Sequence, residues 1–92
     1  MEEHCYIISY DLCTPESDYS SLYKAIKSYD KWGRLTESTW AIVTEQTHVE
    51  IRDYLMQFMH PNDKLIVILS GKRAAWTQVL ASNEWVKTYL VK

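Results

Sequence analysis

Two apolar runs rich in β-branched and aromatic residues bracket most of this chain: Cys5-Tyr6-Ile7-Ile8-Ser9-Tyr10-Asp11-Leu12 and Lys64-Leu65-Ile66-Val67-Ile68-Leu69-Ser70. Both predict strands, and their apolar continuity predicts central ones. In the first run, side-chain alternation sets Tyr6, Ile8 and Tyr10 on one face and Cys5, Ile7, Ser9 and Asp11 on the other. The only acid of that run therefore projects at the strand's C-terminal edge. Ligands of open α/β sheets gather beyond the carboxyl ends of strands, which makes Asp11 a candidate for chemistry. A loop-starting carboxylate that bonds the following turn through Thr14 fits the same position.

Between the runs the pattern changes from alternation to helical spacing. Ser17 or Asp18 can cap a helix running to about Lys31, with Tyr19, Leu22, Tyr23, Ile26 and Tyr29 on one stripe and Lys24, Lys27 and Lys31 opposite. Gly33 is expected to end it. Residues Arg34 to Thr44 are rich in strand formers, but Leu35 and Val43 share a parity that Trp40 and Ile42 do not. That switch predicts two short strands, or one broken strand, with a turn or bulge between Glu37 and Thr39. Thr47 and Glu50 make a capping-box pattern at the head of a second helix with Ile51, Tyr54, Leu55, Phe58 and Met59 inward, stopped at His60-Pro61-Asn62-Asp63.

Beyond the second apolar run, Gly71-Lys72-Arg73 forms a basic turn. Residues 74 to 81 fit no single pattern, with Trp76 placed to pack under the sheet, and Ser82 can cap a short last helix through Trp85, Val86, Tyr89 and Leu90. The predicted fold is α+β: a single domain spanning residues 1–92, a ferredoxin-like βαββαβ sandwich whose antiparallel sheet carries two helices on one face, plus a C-terminal helical tail.

Composition narrows the function classes. The net charge of −2 and pI near 5.9 supply no global basic field, so any nucleic-acid role rests on a local patch. Cys5 and Cys13 lack the second pair that a zinc ribbon or disulfide scaffold needs, and the three histidines are scattered. Cys5 is expected in the core and Cys13 in a loop. With no apolar leader and no run approaching a membrane span, a cytoplasmic protein with no membrane partner is expected. Ninety-two residues is close to the size at which association supplements a small core. Four Trp and seven Tyr against one Phe suit an interface, so a homodimer is expected.

The first strand's ending, Ser9-Tyr10-Asp11-Leu12, together with Arg34-x-x-x-Ser38-x-Trp40, resembles the small CRISPR-associated Cas-two proteins and their SinR-like relatives. Their first strand closes in Tyr-Asp, and a later one carries Arg-x-x-x-Ser-x-Phe; here Trp40 stands in the Phe position. The resemblance covers roughly residues 5 to 70 and departs from the family in the tail, where a terminal strand is usual. It implies a ferredoxin-like protomer that dimerises through its sheets and brings two copies of Asp11 together to hold Mg²⁺ for metal-dependent nuclease activity. It further implies that Tyr10, Arg34 and Ser38 contact nucleic acid or phosphate. The other function class left open is a non-enzymatic, defence-related binding protein that sequesters a small nucleotide or a protein partner with its aromatic surface.

Overall fold

The computed structural model describes residues 2–13 and 18–91. The elements run β1 (His4–Asp11), α1 (Ser20–Lys27), β2 (Lys31–Thr36), β3 (Thr39–Thr44), α2 (His48–Met56), β4 (Lys64–Leu69) and α3 (Asn83–Tyr89). The four strands form one sheet in the order β2-β3-β1-β4, with every neighbouring pair antiparallel. This small α+β architecture is compatible with the expected βαββαβ sandwich, to which α3 adds a third helix.

The alternation read from residues 5 to 11 holds. Tyr6, Ile8 and Tyr10, with Trp40 and Ile42 of β3, face α1 and α2. They pack there against Tyr19, Leu22, Ala25, Ile26, Ile51 and Leu55. β1 pairs on both sides, with β3 through His4↔Thr44 to Ser9↔Thr39 and with β4 through Tyr6↔Leu69 to Asp11↔Lys64. It is the central strand the sequence predicts.

The second apolar run is not central. β4 lies at the sheet edge, and Ile66 and Ile68 are 54% and 48% exposed. Its run is continuous because Leu65 and Val67 pack towards α1 and α2, while Ile66 and Ile68 lie on the opposite face of the sheet.

The first helix is shorter than its apolar stripe suggested. Ser28 closes it, donating from Oγ to the Ala25 carbonyl at 2.6 Å, and Lys31 already belongs to β2, opposite Val43. Gly33 is therefore not a helix stop. It sits buried within β2 opposite Ala41, where a Cβ would meet the Trp85 ring at 3.0 Å. Here glycine answers to close packing rather than to backbone freedom. Asp18 accepts from the Ser20 N–H at 2.9 Å at the head of α1, whereas Ser17 and Thr14 lie outside the described residues. The switch of parity after Leu35 resolves as a hairpin, with a register shift between Arg34 and Thr36.

Thr47 and Glu50 form the expected reciprocal cap, Glu50 N–H to Thr47 Oγ1 at 3.2 Å and Thr47 N–H to Glu50 Oε1 at 2.9 Å. Ser82 caps α3 by accepting from the Trp85 N–H at 3.1 Å. The tail's role is to bury the sheet's second face. Cys5, Ala41 and Val43 present an apolar surface there, and Val86 and Leu90 close over it with Trp76, Val79, Ala81, Trp85 and Tyr89 around them. Leaving that surface in water would forfeit about 25 cal/mol for each Å² of apolar area.

Candidate functional site

β1 ends beside the β2–β3 hairpin, and this corner gathers the residues that the sequence motifs single out. The Tyr10 N–H donates to the Ser38 carbonyl at 3.1 Å, which ties the turn to the end of the central strand. On the helix side, the buried Trp40 indole donates from Nε1 to the Tyr10 hydroxyl at 2.9 Å. That hydroxyl in turn donates to the Glu37 carbonyl at 3.2 Å. Burial pushes the Tyr10 phenol above its ordinary range, partly offset by the indole's donation, so it remains a proton donor to the turn at neutral pH.

Arg34 points into the same cluster. Its guanidinium carbon lies 4.9 Å from the Trp40 ring centroid and 5.1 Å from that of Tyr23, and Nη2 donates to the Glu37 carbonyl at 2.6 Å. Nε is buried without a hydrogen-bond acceptor. The electron-rich faces of the two rings supply the attraction that an acceptor otherwise would. Arg34 thus braces the hairpin against α1.

Asp11 belongs to the other face. It is exposed, and among the described residues no hydrogen bond or ion pair reaches its carboxylate. Lys64 stands opposite it in register. Behind it the Ser9 and Thr39 hydroxyls meet across the strands at 3.4 Å. A shallow groove of about 240 Å³ is lined by Ser9, Asp11, Lys64 and Ile66 with parts of Tyr10 and Leu65. The structure therefore brings Tyr10, Arg34 and Ser38 together and sets Asp11 next to them, but with Arg34 and Asp11 on opposite faces of the sheet. Lys64 is the residue that motif reading misses. The signal for it is the antiparallel pairing of two predicted strands, one ending in an acid and the other starting with a base.

A second polar cluster lies beyond the same sheet edge. Asp63 accepts from the Cys13 N–H at 2.8 Å and the Tyr19 hydroxyl at 3.0 Å through one oxygen, and from the His60 N–H at 2.8 Å through the other. Desolvation works to raise its carboxyl, but these three donors outweigh it and hold the group below the usual carboxylate range. The exposed Cys13 thiol donates to the Asn62 carbonyl at 3.0 Å. Asp63 is thus the joint between the loop after β1 and the turn before β4.

Among the described residues no three His, Cys, Asp or Glu side chains converge to hold a metal ion. Among the described residues Asp11 is the one acid of its groove, and the Lys64 ammonium opposite it in register donates to Cys13 Sγ at 3.9 Å. A hard dication wants more oxygen ligands than one carboxylate, so the described residues of this groove do not by themselves fit Mg²⁺. Among the described residues no helix is long and apolar enough to cross a membrane. No family model matches the sequence, and no curated protein does.

Proposed function

We propose that this chain is a ferredoxin-like, Cas-two-like protein that works as a homodimer and binds nucleic acid or a nucleotide at the cleft between its two copies. The observation that carries this reading is the setting of Asp11. It is an unbonded carboxylate at the end of the central strand, on the part of the sheet's second face left open by the C-terminal segment, with exposed Ile66 nearby in the same groove. An isologous contact through Ile66 places like residues near the two-fold axis, and burying about 800 Å² per subunit makes such a contact stable. Two Asp11 carboxylates then face one cleft, with Lys64 beside each to neutralise phosphate charge.

In that dimer Mg²⁺ would supply Lewis-acid polarisation of a phosphoryl oxygen, the chemistry of a metal-dependent endoribonuclease. Asp11 would be the residue that holds it, and Lys64 would orient the phosphate. Tyr10, Arg34 and Ser38 set the position of the hairpin wall rather than reaching into the groove, because Arg34 is engaged by Tyr23, Trp40 and the Glu37 carbonyl.

That engagement also supports a second reading, a non-enzymatic protein that sequesters a small nucleotide or a protein partner. Asp11→Asn separates the two. It preserves shape and an oxygen ligand while removing the paired charge, so wild type should cleave single-stranded RNA with Mg²⁺ or Mn²⁺ and the variant should not, with the dimer intact by light scattering. Equal cleavage by both refutes the paired-carboxylate site. Binding that chelator leaves unchanged, with no cleavage by either protein, selects sequestration. A monomer at tens of micromolar refutes the shared cleft itself.

A further inference from the structure

The second face of the sheet also carries a cavity that shares no lining residue with the Asp11 groove. Residues 70 to 82 leave β4 as an irregular strap and cross back towards α3, and a space of about 360 Å³ lies between strap, helix and sheet. The space is a half-open groove, with the exposed Leu69 and Arg73 among the residues that line it. The strap is pinned on both sides of it. The Ser70 N–H donates to the Cys5 carbonyl at 2.9 Å and the Leu80 N–H to the Leu35 carbonyl at 2.9 Å. Trp76 is held by its Nε1 donating to Asn83 Oδ1 at 3.0 Å. Lys72 and Gln78 adopt left-handed backbone conformations, φ 64° and 54°, which residues with a Cβ rarely take. These anchors fix both ends of the strap to the sheet and Trp76 to the head of α3, with the groove between them.

The walls are mainly apolar, from Ile7 and Ile68 on the sheet to Val79, Val86 and Leu90 opposite, with Thr36, Thr39 and Ser70 also in the lining. Among the described residues Arg73 is the one charged residue of the lining, it makes no ion pair, and no acid lines the space. A cavity at the small end of the range for ligand pockets, roughly 300–1,000 Å³, with mainly apolar walls and one unpaired cation, suits a particular chemistry. We infer that it binds a small amphiphile with an apolar body and a single carboxylate, a medium-chain alkyl or aromatic acid, its body against Ile7 and Val86 and its carboxylate on Arg73. The several charges of a nucleotide's phosphates would meet a single cation here, and the groove shares no lining residue with that of Asp11, so this site is independent of the function proposed for Asp11.

The test titrates decanoate and its uncharged counterpart decan-1-ol, both below micelle formation, into the whole chain, following tryptophan emission and heat. Wild type should bind decanoate saturably at one per chain, independently of protein concentration, and about tenfold more tightly than decan-1-ol, the discrimination of one charge-assisted contact. Arg73→Gln, at an exposed side chain, should remove that preference and leave decan-1-ol binding unchanged. Val79→Phe, which narrows the space, should weaken both. Equal affinities for acid and alcohol in wild type, an unchanged preference in Arg73→Gln, or no saturable binding overturns the inference. So does binding that vanishes as protein concentration rises, since the space is then filled by a second copy. Should Val79→Phe fail to fold, the Arg73→Gln comparison decides alone.

Discussion

Replacing Trp40 probes the joint on which the candidate site rests. The side chain is 0% exposed and stacks on Tyr23 at 6.2 Å between centroids with 22° between planes. It is the donor at the head of the chain through Tyr10 to the Glu37 carbonyl. Truncating a buried Trp to Ala costs about 3–5 kcal/mol through lost transfer energy and the cavity left behind. The lost ring pairing, about 0.5–1.5 kcal/mol, and the lost indole hydrogen bond, about 1 kcal/mol, place Trp40→Ala towards the upper end. Against a total stability of about 5–15 kcal/mol for a small domain, that leaves a marginal protein.

Trp40→Phe keeps part of the ring and should lose about 1–3 kcal/mol. Tyr10→Phe leaves the indole N–H buried without its acceptor and should also lose about 1–3 kcal/mol. Because both variants break the same bond, the double variant should lose less than the sum of the singles. Urea denaturation followed by far-ultraviolet circular dichroism measures this without relying on the fluorophore being removed. A loss under about 1 kcal/mol for Trp40→Ala at an unchanged m-value would refute the reasoning, as would full additivity of Tyr10→Phe and Trp40→Phe.

Gly33→Ala drives a methyl group against the Trp85 ring at 3.0 Å. It should destabilise by about 1–3 kcal/mol with a red shift in tryptophan emission as α3 loosens; an unshifted spectrum and melt would show that Trp85 gives way freely. Burial pushes the Cys5 thiol up to about 11, slightly offset by Lys72, so iodoacetamide should label only Cys13 in the native protein and both cysteines in denaturant, as mass spectrometry would show. Because the unfolded thiol ionises near 9.0 and the folded one near 11, and the Tyr29 phenol is likewise raised, to about 12, stability should fall as pH rises above about 9. Asp63 has the opposite sign: its folded carboxyl titrates below the ordinary 3.8, so its contribution should be complete above that value and disappear as the pH falls below it. Asp63→Ala should flatten that acid limb and cost about 1 kcal/mol at neutral pH.

The motif residues were legible as a neighbourhood and not as a geometry. Ser9-Tyr10-Asp11-Leu12 and Arg34-x-x-x-Ser38-x-Trp40 do meet at one corner, because a strand end and a hairpin turn in adjacent strands must. Strand parity places Arg34 with Trp40 on the helix side and Asp11 on the other. That placement could not be read while the bend between Glu37 and Thr39 left the register of β2 open by one residue, and a slip of one residue exchanges the faces. Lys64 escaped notice because its pairing with Asp11 spans most of the chain.

What the sequence determined by itself is what repeats locally: the two faces of β1, the inward stripes of α1 and α2, and the capping pairs at Thr47 and Ser82. Each depends on residues a few positions apart, where the period of side-chain direction decides the outcome. Tertiary structure alone decided that Gly33 lies in a strand under Trp85 rather than at a helix end, and that the apolar run from Lys64 to Leu69 forms an edge. It also decided that the tail covers part of the sheet's second face and leaves Asp11 in the open. Those outcomes depend on which distant segment arrives to bury a given surface. An apolar strand looks the same in sequence whether the segment covering it is a neighbouring strand, a helix of its own chain or another molecule.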